Sequence, residues 1–473
     1  MRLKKNRISI PLLLIIFVTA CQPAQTLEDI AQITSTAEIQ ETPVNHNQTQ
    51  VPAAIEIGSE KTPIAPGETL ILWHPFSGEE AELITNQVEQ YNLQKGGDNP
   101  IVAISHADKE ILFEDFLLAA KTGNEPDIII APGNMLRALY LDDLLQPIDE
   151  AFLDTGSLQN TTTIFPVFWN LDINESSRFG LPYFQMGHFL FYNNTWANEL
   201  GYAEKPLMVD DFSDQACTAF NQNRFDDELE NNGTGGYFFP TDAFSIVSWM
   251  RAFGGGPQFN SRGELVLDTE ENLMAVTFLY RLYADECSWW TSKEPFPYQY
   301  LANRNTIFFS GMAEEQFPQQ MVMNAVNETT TWSLVPYPSN SGKPVVLFDS
   351  FSFGLTEIDE ASSKSALEFI QWMQTPENHV EMVYLTGAFP LRAEEIQLVE
   401  RDWDQFPMWQ NILQYIPFLE PVTLSEHWHI AEKTLDDLAW QIRQYTVKES
   451  DLQTYLRDVE SIVNTLIAEG QAE

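Results

Sequence analysis

The side chains in this chain that are best suited to contact a small ligand are aromatic and polar residues next to turns. They are Trp73, His74, Phe76, Tyr183, Phe184, Trp249, Asp349, Ser350 and Arg392. Flat aromatic rings stack on the apolar faces of a ligand, and planar polar groups can form two hydrogen bonds at its edges. Each aromatic ring could instead belong to the core, and Asp349 and Arg392 could instead form structural salt bridges.

Patterns typical of catalysis or metal binding are missing from the sequence. His427 and His429 are two residues apart, and no third ligand lies nearby in the sequence. The chain has no Gly-x-Ser-x-Gly or His-Glu-x-x-His motif, and the glycines of 233–236 and 254–256 lack the lysine of a phosphate-binding loop. We therefore expect no catalytic group, no metal and no cofactor.

The first third of the ordered chain alternates between predicted strands and helices. The predicted strands are 69–73, 101–104 and 126–132, and the predicted helices are 79–92 and 109–121. This alternation favours a parallel, doubly wound α/β sheet. Because ligands bind beyond the carboxyl ends of such strands, residues 73–78 and 132–134 are expected at the site.

Residues 180–194, GLPYFQMGHFLFYNN, form an aromatic-rich apolar run that is bounded by turn residues. Pro182 cannot donate a backbone hydrogen bond, which suits a segment that leaves one sheet to join another. We interpret this run as a crossover strand between two lobes, although an ordinary core strand is the alternative. Later segments, 332–338 and 345–348, are interpreted as return crossings.

The N-terminal segment has the pattern of an export signal. Basic residues precede the apolar run 8–18, which is too short for a mature transmembrane helix. The run ends in Val-Thr-Ala-Cys, which resembles the bacterial lipobox and predicts lipidation of Cys21 after removal of residues 1–20. Plain secretory cleavage near Ala20 is the alternative. Residues 21–66 contain no aromatic residue and are expected to form a disordered tether.

Charge and cysteine content restrict the function further. The chain has 25 Lys and Arg against 68 Asp and Glu, a formal net charge of -43, which argues against nucleic acid or an anionic membrane surface as the main partner. Cys217 and Cys287 are the only cysteines after Cys21. In an exported chain such a pair predicts a disulfide, and two buried thiols are the alternative.

The order of the motifs resembles that of the extracellular solute-binding proteins of bacterial ABC importers, in the branch that includes sugar and maltodextrin receptors. The motifs are, in order, ILWHPFSG, EPDIIIAPG, GLPYFQMGHFLFYN, FGGG, GMA, WSLVPYPSNSGKPVV, TPE and GAFPLR. The resemblance implies a periplasmic-binding-protein-like fold (type II) with three crossover segments. By that analogy lobe 1 comprises 67–182 with 337–388, and lobe 2 comprises 183–336 with 389–473.

The resemblance also implies a function. Hinge closure would capture a small solute, most simply a sugar or oligosaccharide, and deliver it to the transmembrane subunits of an ABC permease. We expect a monomer, anchored through Cys21 to the outer face of the cell membrane. A surface glycoside-hydrolase-like enzyme and a non-transport adhesion or scaffold lipoprotein are the alternatives.

Two features depart from the family pattern. Asp349 and Ser350 stand where family members often have two glycines, which leaves the exact ligand contacts open. No basic residue dominates the predicted cleft loops, which argues against a phosphate or polyanion as the solute.

Overall fold

The computed structural model describes residues 69–95, 99–148, 164–240, 242–292, 297–326, 329–402, 411–423, 425–444 and 446–470. The predicted signal peptide, Cys21 and the tether of 21–66 lie outside these residues. Within the part that is described, no helix is both long enough and apolar enough to cross a membrane.

The first elements alternate between strand and helix, as the sequence predicts. They are β1 (Leu70–His74), α1 (Gly78–Lys95), β2 (Ile101–Ser105), α2 (Lys109–Ala120), β3 (Ile128–Pro132) and α3 (Gly133–Leu141). Strand β1 pairs in parallel with both β2 and β3. Helix α2 begins where the Asp108 carboxylate accepts a hydrogen bond from the Ile111 backbone N–H at 2.7 Å. The predicted parallel arrangement is confirmed.

The middle of the chain adds the strands on which the sheet is centred. Its elements are α4 (Pro166–Trp169), β4 (Ile173–Asn174), β5 (Ser177–Arg178), β6 (Leu181–Tyr192), α5 (Asn194–Glu199), α6 (Val209–Phe225), β7 (Gly235–Phe238), α7 (Ala243–Ala252), β8 (Gln258–Phe259), β9 (Leu265–Val266), α8 (Glu270–Ala284), β10 (Ser288–Trp289), α9 (Tyr298–Ala302), β11 (Thr306–Met312), α10 (Gln316–Val326), β12 (Ser333–Val335) and β13 (Val346–Leu355). A short 3-10 helix, Ala313–Glu315, links β11 to α10.

The last part of the described chain is mostly helical. It contains α11 (Glu360–Met373), α12 (Pro376–Thr386), α13 (Ala393–Val399), β14 (Leu419–Pro421), α14 (Trp428–Arg443) and α15 (Leu452–Gly470). Helix α12 ends at Gly387, whose φ of 74° is a left-handed conformation that glycine adopts without steric cost. The chain can therefore turn sharply there and return to the sheet.

Strand β6 is the element that the two parts of the sheet share. The strand order is β10-β7-β11-β6-β13-β3-β1-β2, with β12 also paired to β6 and β14 to β13. The first half of β6 pairs antiparallel with β13, and its second half pairs antiparallel with β11 and β12. All 12 residues of β6 are buried.

Two large apolar clusters pack on the two parts of the sheet. One includes side chains of β1, β3, α1, α11 and α12 around the first half of β6. The other includes side chains of α6, α7, α8, α14 and α15 around Leu190 and Tyr192. Cys217 on α6 and Cys287, just before β10, form a disulfide at the edge of this second cluster.

Candidate functional site

A cavity of about 770 Å³ opens where the two parts of the sheet meet. Its walls come from the loop after β1, from α1, α2, β6, β7, β11 and β13, and from the 3-10 helix 313–315. Strands β6 and β13 run along its floor, since their paired residues Phe184 and Phe351 both line it. The cavity therefore lies against the strand that both parts of the sheet share.

Three phenylalanine rings form an apolar wall of this cavity. Phe76 follows β1, Phe184 is on β6 and Phe351 is on β13. The ring centroid of Phe76 lies 5.4 Å from that of Phe184 and 5.5 Å from that of Phe351. The first pair is edge-to-face and the second is tilted, and such packing holds the rings in place, so that they offer a preformed surface for stacking. Further rings line the cavity at Phe238, Phe244 and Tyr298.

Carboxylates occupy the side of the cavity nearest to α1 and β11. Loss of hydration and the negative charge of Glu80 raise the pKa of Glu314 to about 7, although the residue as a whole is exposed to solvent. Burial also raises the pKa of Glu315 to about 7, even though its carboxylate accepts hydrogen bonds from Tyr298 Oη at 3.0 Å and the Met312 N–H at 2.9 Å. Burial raises the pKa of Glu80 as well. These groups are acids that bind protons more tightly than usual.

Lys109 and Asp349 also line the cavity. Lys109 Nζ donates hydrogen bonds to both carboxylate oxygens of Glu432 on α14, at 2.9 and 3.2 Å. Burial raises the pKa of Asp349 to about 6, an effect that the charge of Lys109 partly offsets. Burial lowers the pKa of Lys109, but the charges of Asp349 and Glu432 outweigh it, and the pKa is raised overall. The ammonium group therefore interacts with the carboxylates of both Glu432 and Asp349.

His188 links the floor of the cavity to a buried hydrogen-bond network. Its Nδ1 lies 3.1 Å from the Tyr337 hydroxyl, which donates to Ser310 Oγ at 2.7 Å. Its Nε2 lies 3.7 Å from Asp242 Oδ1. Burial lowers the pKa of His188, an effect that Asp242 partly opposes. At neutral pH the ring is therefore an uncharged donor and acceptor.

Phe76, Phe184 and Asp349 are the residues chosen from sequence that line the cavity. Ser350 and Tyr183 are the immediate neighbours of Asp349 and Phe184. Because successive side chains of a strand point to opposite faces, both are turned away from the cavity. Tyr183 instead packs against Phe353, with ring centroids 4.8 Å apart.

Four other residues chosen from sequence do not reach the cavity. Trp249 is completely buried on α7 and donates a hydrogen bond from Nε1 to the Tyr237 hydroxyl at 3.1 Å. Arg392 is buried in an ion pair with Glu395 at 3.1 Å, which is the structural alternative considered above. These two placements are corrections to the predicted site: the first side chain belongs to the core and the second to a structural ion pair.

Trp73 and His74 belong to β1 itself rather than to the loop that follows it. The Trp73 ring packs on His106 with centroids 4.5 Å apart. His74 is fully buried, and burial lowers its pKa to about 4. The predicted strand 69–73 was displaced by one residue, because β1 extends from Leu70 through His74.

Several cavity residues were not chosen from sequence. Met186 and His188 follow Phe184 at intervals of two, so the alternation of a strand was a signal that would have included them. Glu314 and Glu315 follow β11 directly, but nothing in the sequence distinguishes them among 68 acidic residues. No three His, Cys, Asp or Glu side chains in the described ranges are arranged to hold a metal ion.

Comparison with known proteins gives matches in family, sequence and structure. A family model described as bacterial extracellular solute-binding protein matches residues 86–408. An arabinooligosaccharide-binding protein of Halalkalibacterium halodurans is 23% identical over 227 residues, which is 46% of this chain and 46% of that protein. The match thus spans about half the length of this curated relative.

Solved structures share the fold at low sequence identity. The sugar-binding protein MalE of Xanthomonas citri has a TM-score of 0.69 at 14% identity, with 86% of this chain and 100% of that chain covered. The cyclic alpha-maltosyl-1,6-maltose binding protein of Arthrobacter globiformis has a TM-score of 0.66 at 14% identity, covering 84% and 98%. UgpB of Mycobacterium tuberculosis, in complex with glycerophosphocholine, has a TM-score of 0.68 at 13% identity, covering 86% and 100%.

These matches agree with the geometry of the sheet and its cavity. The structural likeness shows the two-lobed periplasmic-binding-protein fold that the motif order predicts. The family model spans well over half of the 473 residues. The chain belongs to the bacterial extracellular solute-binding protein family.

Proposed function

We propose that this chain is the substrate-binding subunit of an ABC importer and that it captures a small carbohydrate in the cavity between its lobes, without catalysis. The observation that carries the proposal is the cavity of about 770 Å³, which combines an aromatic wall with hydrogen-bonding side chains. Such a combination suits a ligand with apolar C–H faces and hydroxyl edges. The curated relative that binds arabinooligosaccharide supports this class of ligand.

The lobe boundaries are part of the proposal. Lobe 1 comprises 67–182 with 337–388, and lobe 2 comprises 183–336 with 389–473. Under this division Phe76 and Asp349 face the cavity from lobe 1, while Phe184 and Glu314 face it from lobe 2. A solute that touches both lobes favours the closed conformation by its additional contacts, which is how hinge proteins couple binding to closure.

We assign the ligand contacts to side chains that line the cavity. Phe76, Phe184 and Phe351 would stack on the ligand, and Asp349 and His188 would hydrogen-bond to it. The match to an extracellular family supports a location outside the cytoplasm.

The attachment and the partners are proposals that rest on the sequence. The lipobox-like segment supports anchoring at Cys21, and the family supports a permease as partner of the closed monomer. Replacement of Cys21 by serine should release the protein from membranes, and its mass in solution should be that of one chain. Retention at the membrane would contradict the anchor.

Thermal melting of the exported chain with Cys21 replaced by serine tests the function. A panel of arabino-, malto- and manno-oligosaccharides, amino acids and phosphorylated compounds is used. A ligand at one hundred times its dissociation constant stabilises the folded state by about 2.7 kcal/mol, which raises Tm by a few degrees.

The outcomes separate the candidate functions. A shift with one sugar class, with that sugar recovered intact, supports the receptor. Release of shorter sugars from the same mixture would favour the glycoside-hydrolase alternative. No shift with any compound in the panel would contradict the proposed function and favour the scaffold alternative.

A further inference from the structure

The charges that line the cavity are strongly unbalanced. Five lining side chains carry carboxylates and one described lining side chain carries an ammonium group: Glu80, Asp242, Glu314, Glu315 and Asp349 against Lys109. His188 also lines the cavity, but it is neutral because burial lowers its pKa. The described walls therefore hold more acidic than basic groups, and the pKa of about 7 leaves Glu314 and Glu315 partly protonated near neutral pH.

Lys109 does not neutralise this surplus. Its ammonium group binds both oxygens of Glu432, which is not among the lining residues, and it also interacts with Asp349. One ammonium group is thus shared by two carboxylates at one side of the cavity. Its positive charge is balanced by these two carboxylates and does not neutralise the acids near α1 and β11.

The other four acidic side chains that line the cavity are Glu80, Asp242, Glu314 and Glu315. Glu80 on α1 and Glu314 line the same cavity, and the negative charge of Glu80 contributes to the raised pKa of Glu314. Glu315 experiences the charges of both Glu314 and Asp242. Its hydrogen bonds from Tyr298 and the Met312 N–H stabilise the carboxylate but add no positive charge. The Asp242 carboxylate caps α7, where it accepts from the Ser245 N–H at 2.8 Å.

Aromatic rings line the same cavity as these carboxylates. Tyr298 is hydrogen-bonded to Glu315, and Phe238 and Phe244 are further lining residues. The face of an aromatic ring attracts a cation, and the attraction is stronger where water is excluded. Carboxylates and ring faces together form a site that stabilises a positive charge at short range.

A neutral solute and a cationic solute differ in their effect on these acids. A neutral solute displaces water from these acids, which favours their protonated forms and costs free energy, and it brings no charge of its own to offset the cost. An ammonium group instead forms charge-assisted hydrogen bonds with them and offsets that cost.

We propose that the natural solute is an amino sugar or a short oligomer of one, with an ammonium group held between Glu80, Glu314 and Glu315. The sugar ring would rest on the wall formed by Phe76, Phe184 and Phe351. This inference rests on the proposed function, because it assumes that the cavity is the solute site, and it narrows the class of solute that the site accepts.

Calorimetric titration with matched sugars tests the inference near neutral pH. The probes are β-1,4-linked oligomers of glucosamine, of N-acetylglucosamine and of glucose, which share a backbone and differ in charge. The chain with Cys21 replaced by serine is expected to bind a glucosamine oligomer at least about tenfold more tightly than either neutral partner. Its affinity for glucosamine oligomers should fall steeply as salt is added.

Variants locate the charge within the cavity. Glu80→Gln and Glu314→Gln should each weaken glucosamine binding by about tenfold and leave any binding of the neutral oligomers nearly unchanged. Glu79→Gln removes a neighbouring exposed acid that does not line the cavity and should have little effect. If either cavity variant fails to fold, the salt dependence of the parent chain still decides the question.

The outcomes distinguish this inference from the proposed function. Equal or tighter binding of a neutral oligomer would overturn the inference and leave a sugar receptor. A salt-independent affinity for glucosamine oligomers would also overturn it. Absence of binding by all three oligomer sets would overturn the inference, and the thermal panel described above would then decide separately whether the proposed function fails too.

Discussion

Neighbouring residues of β6 have different roles because a strand alternates its faces. Phe184, Met186 and His188 line the cavity, whereas Tyr183 and Gln185 are buried on the other face. The part of this strand that lines the cavity is therefore a set of every second side chain. A substitution on one face should affect binding, and its neighbour on the other face should serve as a control.

Phe184→Ala should weaken binding of the solute identified by the melting panel by about tenfold, because it removes one ring of the stacking wall. Titration calorimetry measures the affinity. Tyr183→Phe is the matched control, since it changes only a hydroxyl group on the opposite face of the same strand. An unchanged affinity in Phe184→Ala would exclude the ring as a ligand contact.

The raised pKa of Glu314 makes stability depend on pH. The folded-state pKa is about 7 against an ordinary value of 4.5, so the folded protein binds more protons than the unfolded chain between these values. Stability should therefore fall as the pH rises from about 4.5 to about 7. Glu314→Gln should raise Tm above pH 7 and leave it nearly unchanged below pH 4.5.

Thermal melting across this pH range measures the effect. Glu469→Gln is the control, because Glu469 is exposed near the end of α15 and does not line the cavity. Equal profiles of Tm against pH for Glu314→Gln and the parent chain would show that Glu314 does not cause the pH dependence of stability.

At the scale of elements, the disulfide joins α6 to the residue before β10 across a sequence separation of 70 residues. Closing a loop of this length lowers the entropy of the unfolded chain and stabilises the protein by about 4 kcal/mol. The double variant Cys217→Ser/Cys287→Ser should lose about that much free energy of unfolding in urea. Full thiol labelling of the denatured, unreduced parent chain would contradict the bond.

Helix α14 connects elements that are far apart in the sequence. It carries Glu432, which binds Lys109 of α2, and it follows Glu426, which accepts from Arg137 Nε of α3 at 3.1 Å. In the proposed lobe division these two ion pairs join lobe 2 to lobe 1, and Lys109 of the first pair lines the cavity. A hinge motion that changes the distance between the paired charges would change the energy of these ion pairs.

At the scale of the whole molecule, a ligand that bridges both lobes should make the protein more compact. Small-angle X-ray scattering should show a smaller radius of gyration at saturating ligand, because the closed conformation gains contacts on both sides of the cavity. A compound from the panel that gives no melting shift is the control. An identical scattering profile with and without bound ligand would contradict hinge closure.

The sequence by itself determined the fold class and the general position of the site. Alternating strands and helices in the first third predicted the parallel sheet, and the run at 180–194 predicted β6, because periodicity and turn residues are local signals. Phe76, Phe184 and Asp349 could be chosen since they are near the predicted strand ends and crossings. Local signals suffice wherever the neighbouring residues decide the conformation.

Only the tertiary structure decided which side chains share the cavity. Trp249 and Arg392 looked as suitable as Phe184, but packing between distant elements placed the first in the core and paired the second with Glu395. The grouping of Glu80 with Glu314 brings together residues more than two hundred positions apart. No local sequence pattern predicts that Glu80 and Glu314 line the same cavity, because this depends on how the two parts of the sheet pack around the strand that they share.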